Sequence, residues 1–176
     1  MAKTKWAIDP THSEINFKVK HIMFTHVSGG FKEFEATAET EDENFDSVTF
    51  NFQAKTASIN TGNSERDGHL KSGDFFDTEN HPEISFKSTS YEKDEDGEFT
   101  LKGDLTLRGV SKPVTLKGEF HGTAVDPWGN KRAGFGISGK INRKDWGLNW
   151  NSALETGGVL VGEEVKLNIE LQFTKQ

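Results

Sequence analysis

The chain contains no cysteine among its 176 residues. It can therefore form neither disulfides nor cysteine-ligated metal sites, and thiolate chemistry is excluded. It also has no apolar run of transmembrane length, and Met1–Trp6 has no apolar core of signal-peptide length. We expect a cytoplasmic protein, or a periplasmic or secreted one if the natural gene encodes a signal peptide that this sequence lacks.

Basic residues are too few to balance the acidic ones, and the net charge is -7. Nucleic acids and anionic lipid surfaces both attract basic proteins. We therefore expect no nucleic-acid partner and no stable membrane insertion.

Motifs for catalysis or metal binding are missing as well. None of the six histidines has a tight ligand spacing, and no serine sits in a nucleophile elbow. The run Gly157–Gly162 is not a phosphate loop, because no Lys-Ser or Lys-Thr closes it. We expect no metal, no catalytic residue and no cofactor apart from a bound ligand.

What the chain does have is a two-residue apolar alternation, rich in phenylalanine, along most of its length. Fourteen phenylalanines against one tyrosine indicate an interior of apolar rings without hydroxyl groups to satisfy. A period of two predicts β-strands with one dry face, and repetition along the chain predicts an antiparallel sheet. Eight strands are predicted, over 14–20, 28–39, 46–54, 83–93, 98–107, 112–124, 133–142 and 163–174. Eight such strands close into a barrel or fold into a sandwich, and a barrel of eight is either filled by side chains or holds one small ligand.

Between Ile59 and Ile84 the alternation stops, and a short helix is predicted over 65–72. Ser64 with Asp67 resembles a capping box, and Gly73 is placed to end the helix. Leu70 is the main apolar anchor, and Phe75 and Phe76 follow directly. The segment 60–76 reads either as a lid over a barrel end or as an ordinary crossover connection.

Glycines stand where large apolar residues would pack on three successive strands. They are Gly103, Gly118 and Gly139. Each either leaves room for a guest or lets its strand bend so that a barrel can close. The residues predicted to face inward around any cavity are Phe17, Val19, Phe50, Phe52, Phe86, Leu101, Leu105, Phe120, Phe135, Ile137 and Ile169. Since none is charged, a guest among them must be apolar.

Two polar or aromatic groups have more than one interpretation. His69 beside Asp67 suggests acid–base chemistry, but neighbours on a helix diverge, so a structural role is favoured, with Arg66 pairing with a nearby carboxylate. Arg66 or Lys71 is also placed to meet an anionic lipid head group at a rim. Trp146 and Trp150 either cap a barrel end or anchor a corner of the core.

Four stretches together resemble the YceI-like family of polyisoprenoid-binding proteins, and the resemblance extends over Trp6–Phe173. The stretches are Asp9–Phe17, Arg66–Phe76, Gly103–Val114 and Ile141–Leu148. The resemblance implies an all-β fold: one domain over residues 1–176, built as an eight-stranded antiparallel lipocalin-like barrel. It also implies an elongated interior tunnel for a polyisoprenoid of quinone or prenyl-phosphate type, and no established enzymatic activity. The predicted ligand-binding set is then the inward residues, the three glycines and the lid residues Leu70, Phe75 and Phe76.

Three hypotheses for function follow. The first is non-catalytic sequestration or transport of a long apolar isoprenoid lipid. The second is an isomerase or cyclase acting on an apolar substrate in the same cavity, with His69 and Asp67 at its mouth. The third is a filled, ligand-free barrel with a structural or stress-related role. A homodimer is compatible with each of them.

Overall fold

Eleven β-strands form one antiparallel sheet in the computed structural model, which describes residues 3–22, 24–41, 44–151 and 161–176. The strands are β1 (Lys3–Ile8), β2 (Glu14–His21), β3 (Thr25–Phe31), β4 (Phe34–Glu41), β5 (Asn44–Lys55), β6 (Ile59–Asn60), β7 (Glu83–Lys93), β8 (Glu98–Leu107), β9 (Val110–Val125), β10 (Lys131–Asn142) and β11 (Val161–Lys175). One α-helix, α1 (Ser64–Lys71), and three short 3-10 turns at Pro10–His12, Thr56–Ser58 and Arg143–Trp146 complete the described part.

The sheet closes on itself because β1 pairs with both β4 and β11. The closed ring runs β1, β4, β5, β7, β8, β9, β10, β11 and back to β1. β11 pairs with β2 over Val161–Glu170 and with β1 over Phe173–Lys175, so β1 and β2 form two successive halves of one wall strand. The predicted eight-stranded antiparallel barrel with a short helix is confirmed.

The strand predictions differ from the structure in three places. The strand β6 was not predicted, because its two residues, Ile59 and Asn60, are too few to show an alternation. β1 was not predicted, because Lys3–Ile8 shows no apolar alternation and buries only Trp6. The predicted strand 28–39 is divided into β3 and β4 by a bend at 32–33. The remaining strands match or extend the predicted ranges by one or two residues. Most of the glycine-rich run at 157–162 lies outside the described residues.

Tight turns hold the hairpins in register. Arg108 and Gly109 both have positive φ, 50° and 74°, as a two-residue type I′ turn requires. This turn matches the right-handed twist of the strands and connects β8 to β9 directly, with no additional loop residues. Gly97 (φ 84°) lies in the turn predicted between β7 and β8.

One half of the barrel interior is filled by aromatic rings, which we call the aromatic cluster. Its closest ring pairs have centroids 4.5–5.3 Å apart in stacked, tilted and edge-to-face arrangements, and such pairs add stability beyond the area they bury. The cluster consists of Trp6, Phe45, Phe50, Tyr91, Phe99, Phe120, Phe135 and Phe173. Burial raises the pKa of Tyr91 to about 12, and the nearby carboxylate of Asp46 adds to the shift.

The three inward glycines make room for the protein's own side chains. A Cβ atom built on Gly118 would lie 2.2 Å from the ring of Phe99, and one on Gly103 would lie 2.5 Å from the ring of Phe86. A Cβ on Gly139 would lie 2.4 Å from Leu116. The space above each glycine is therefore occupied by a neighbouring side chain and is not left for a guest.

A polar clasp fixes the corner between β1 and β2 beside the end of β10. Asp9 accepts hydrogen bonds from Thr11 and pairs with His12, and Arg132 donates to it at 2.6 Å. The bonds from Thr11, His12 and Arg132 hold the pKa of the Asp9 carboxyl well below its usual range, although partial burial opposes them. Arg132 also donates to Asp126 at 2.8 Å, so the clasp ties the first strand to the β9–β10 turn.

Candidate functional site

The other half of the barrel contains a cavity of about 480 Å³. The aromatic cluster closes its inner end, where Phe50 belongs both to the cluster and to the cavity wall. Its wall is apolar over most of its area, with polar side chains at its outer end. The apolar lining residues are Ile15, Phe17, Val19, Val27, Phe31, Ala36, Phe50, Phe52, Ala54, Leu70, Phe75, Phe76, Ile84, Phe86, Leu101, Leu105, Leu107, Val114, Leu116, Ile137, Ile141, Leu148, Trp150, Val161, Val165, Leu167, Ile169 and Leu171.

Twelve of the residues predicted to bind the ligand line this cavity, and five do not. The twelve are Phe17, Val19, Phe50, Phe52, Leu70, Phe75, Phe76, Phe86, Leu101, Leu105, Ile137 and Ile169. The other five are Phe120 and Phe135, which belong to the aromatic cluster, and the glycines at 103, 118 and 139. The alternation indicates which side chains face inward, but it does not tell the open half of the barrel from the filled half.

The helix α1 is fixed to the loop before it by side-chain hydrogen bonds. Its N-cap is Asn63, whose side chain accepts from the Arg66 backbone N–H at 3.0 Å, and not the predicted Ser64. Asp67 accepts hydrogen bonds from both the backbone N–H and the hydroxyl of Thr61. The helix starts where it does because Asn63 and Asp67 satisfy local backbone donors.

Aromatic contacts hold the segment after α1 over the cavity. The rings of Phe76 and Phe31 meet edge to face with centroids 5.8 Å apart. The ring of Phe75 lies 5.5 Å from that of Trp150, and Leu70 lines the cavity from the helix. The placement of these side chains fits the lid interpretation of segment 60–76.

The two tryptophans divide the roles that were left open for them. Trp146 is buried and donates from Nε1 to the carbonyl of Leu105 at 2.9 Å, so it anchors a corner of the core. Trp150 lines the outer end of the cavity and packs edge to face on His69, with centroids 4.6 Å apart.

The polar residues of α1 pair differently from what the sequence suggested. Arg66 donates from Nε and Nη2 to Thr61, at 2.7 Å each, and not to a carboxylate. His69 pairs through Nε2 with Asp74 at 2.8 Å, while Asp67 is engaged with Thr61. The His69–Asp67 pair needed by the enzyme hypothesis is therefore not formed.

Arg143 is a cavity residue that the sequence reasoning missed. It is 5% exposed, and it donates to the carbonyls of Leu148, Val161 and Gly162. Within the described residues it has no carboxylate within 4 Å, and burial lowers its pKa while the charge of Glu163 opposes that shift. The available signal was its position in the stretch Ile141–Leu148, at the open end of an inward-facing strand.

Neither a metal centre nor a membrane-spanning helix is present in the part of the chain that the structure describes. No three histidine or acidic side chains there lie close enough together to hold a metal ion. No helix in the same ranges combines the length and the apolar character needed to cross a bilayer.

This chain is similar in sequence and in fold to several known proteins. The model of the YceI-like domain family matches residues 6–173. A UPF0312 protein of Staphylococcus aureus is 37% identical over 172 residues, which cover 97% of this chain and 98% of that protein. The crystal structure of the Campylobacter jejuni YCEI protein superimposes with a TM-score of 0.77 at 31% identity, covering 90% of this chain and 91% of that one. A polyisoprenoid binding domain from Saccharophagus degradans shares the fold, with a TM-score of 0.73 at 15% identity and coverage of 97% and 98%.

Proposed function

The chain belongs to the YceI-like family, and on that premise we propose that it binds a long apolar isoprenoid lipid of quinone or prenyl-phosphate type inside the barrel. It acts without catalysis, by sequestering or carrying the lipid. The observation that carries the proposal is the cavity of about 480 Å³, whose inner wall is built from aliphatic and phenylalanine side chains.

The energy of such binding comes from removing the chain from water. Burial contributes about 0.8 kcal/mol per methylene, so one five-carbon isoprene unit contributes about 4 kcal/mol before ordering costs. An eight-stranded barrel has an interior that its side chains just fill unless they are arranged to leave room. Here the rings gather in one half and leave the other half open, which disfavours the filled-barrel alternative.

Chemistry on the guest is disfavoured by the way the polar groups are used. His69 is paired with Asp74, and Asp67 is bonded to the loop that anchors α1. Neither pair places an acid and a base on opposite sides of the cavity. The naming of the Saccharophagus degradans domain as polyisoprenoid binding supports a binding role over the enzyme alternative.

The head of the lipid is proposed to lie at the outer end of the cavity, beside Arg143. This guanidinium is buried, and the described residues provide three backbone carbonyls for the five N–H groups of an arginine. A phosphate or quinone oxygen would supply an acceptor there. Of the two head-group residues expected from the sequence, Arg66 donates to Thr61 and also lines this end, whereas Lys71 is not among the residues that line the cavity.

Extraction of the gently purified protein with organic solvent, followed by mass spectrometry, tests the proposal. We expect a prenyl lipid in stoichiometric amount. Leu105 faces the cavity while Asp104 is exposed on the outer face of the same strand, so Leu105→Trp and Asp104→Trp form a matched pair. The first should abolish or shorten the retained lipid, and the second should leave it unchanged.

Two results would count against the proposal. One is an extract without any lipid, together with no uptake of added prenyl phosphate. The other is a retained lipid that Leu105→Trp and Asp104→Trp affect equally, since the guest would then lie outside the cavity.

A further inference from the structure

The hairpin between β2 and β3 carries large apolar side chains into solvent. Phe24 is 89% exposed, and Ile22 is 37% exposed. Ile22 also has a φ of 52°, a left-handed conformation that is costly for a β-branched residue. Exposed apolar groups in a strained hairpin tip are typical of a site that contacts a partner surface, which would remove them from water.

The tip stands at the outer end of the cavity. Val19 and Val27 pair across the hairpin and both line the cavity, as do His21 and its partner on β11, Val161. Ile22 and Phe24, which follow His21 in the chain, therefore project past the cavity wall, on the side away from the aromatic cluster. Any surface that the tip touches also faces the cavity mouth.

The outer face below this tip is basic, although the chain as a whole is acidic. Lys140, Lys166 and Lys18 lie directly opposite one another on β10, β11 and β2. Like charges directly across a sheet are destabilising. Lys20 lies opposite His26 one step nearer the tip, and both are exposed.

The acidic side chains of this region do not neutralise the positive charge of these lysines. Glu164 lies 3.8 Å from Lys140, and Glu163 lies 2.8 Å from Lys144. Lys18, Lys20 and Lys166 have no carboxylate within 4 Å in the described ranges. Three of the four lysines on this face therefore present positive charge without a carboxylate partner among the described residues, beside an apolar tip.

We infer that this end of the barrel docks reversibly on a bilayer containing anionic phospholipids, with Phe24 in the interface and the lysine row facing the head groups. An aromatic anchor with flanking lysines is a combination that binds such a surface. The purpose of the docking rests on the proposed function, since an isoprenoid enters or leaves the cavity most easily where the mouth meets a membrane. The acidic net charge does not prevent it, because screening limits each charge to about 10 Å at 0.1 M salt.

Flotation with phosphatidylcholine vesicles, with and without phosphatidylglycerol, tests the inference. We expect binding to the anionic vesicles that weakens as salt is raised from about 0.1 M to about 1 M. Phe24→Ser should weaken it about ten-fold or more. Lys18→Gln and Lys166→Gln should each weaken it about five-fold, the change that corresponds to about 1 kcal/mol per lysine.

Matched variants at the other end and face provide the controls. Trp128 is 80% exposed on the β9–β10 turn, at the aromatic-cluster end, and Lys102 is exposed on β8. Trp128→Ser and Lys102→Gln should leave vesicle binding unchanged. The inference is overturned if the protein binds neither vesicle, or if Phe24→Ser and Trp128→Ser weaken binding equally.

The two proposals can fail separately. Uptake of a prenyl phosphate in vesicle-free solution tests the cavity, and Phe24→Ser should retain it at equilibrium. Vesicle binding without uptake would refute the proposed lipid function and leave the docking surface standing. Uptake without vesicle binding would refute the docking surface alone.

Discussion

The size of the cavity predicts where the gain in affinity with isoprenoid chain length should stop. An engineered apolar cavity of about 150 Å³ holds one benzene, which is about 25 Å³ per carbon. The cavity of about 480 Å³ then holds about 19 carbons, or about four isoprene units. Longer chains must leave their remaining units at the mouth or in solvent.

The measurable quantity is the dissociation constant across a series of prenyl phosphates with two to eight units. Each unit buried should strengthen binding by at least ten-fold, because its gain of about 4 kcal/mol exceeds the cost of ordering it. Beyond about four units the affinity should level off. Intrinsic fluorescence is a suitable signal, because Trp150 lines the cavity.

The variant Leu105→Trp adds an indole to the cavity, so it should move the plateau to a shorter chain, whereas Asp104→Trp should not move it. Two outcomes would refute the reasoning. One is an affinity that rises by the same factor through eight units, which would require a through tunnel or an external groove. The other is an affinity with no dependence on chain length.

Three further predictions concern the frame around the cavity. Asp9→Asn should lower the melting temperature at pH 7 by a few degrees, since about 1 kcal/mol corresponds to about 2–4 °C in a chain of this size. The pKa of Asp9 is depressed in the fold, so below about pH 4 the unfolded chain binds the proton first. The difference in melting temperature between the variant and the unmodified protein should therefore narrow as the pH falls below about 4. Tyr91 is the one tyrosine in the sequence, so ultraviolet absorbance of the folded protein should show its phenol ionising with a midpoint near pH 12. Stability against urea should decline from about pH 10 upward, because the tyrosine of the unfolded chain ionises first. A midpoint near pH 10 in the folded protein would contradict the burial of Tyr91. Gly118→Ala should destabilise the protein by about 1–3 kcal/mol in urea denaturation, because the added Cβ would overlap a phenylalanine ring. The control Gly73→Ala should be close to neutral, because no atom lies within 4 Å of its added Cβ. If Gly118→Ala kept its stability but bound lipid more weakly, the glycine would instead face the ligand.

Much of the barrel was predictable because its strands have one dry face. The alternation from Val165 to Phe173 predicted β11, and its side chains at those positions do point inward. β1 was not predicted because it adds only one large side chain to the core, Trp6. This side chain is 1% exposed and donates a hydrogen bond to Thr40 at 3.1 Å. A single anchoring side chain produces no periodic pattern.

The location of the cavity was harder to predict than its existence. Phe50 and Phe135 have the same inward register, and their rings meet at 5.2 Å, yet only Phe50 also borders the cavity. Which half of a barrel stays open depends on how rings from different strands meet, and sequence alternation carries no information on that packing. Arg143 was missed for a related reason, since its burial depends on contacts with the carbonyls of Leu148, Val161 and Gly162.

A crystal structure of the protein with a four-unit prenyl phosphate tests the central claim most directly. The account predicts continuous ligand density inside the barrel, with the chain between Leu101 and Ile169, its far end against the aromatic cluster and the phosphate near Arg143. Density for the prenyl chain on the outer surface, or an interior that the protein's own phenylalanine rings have filled, would contradict it.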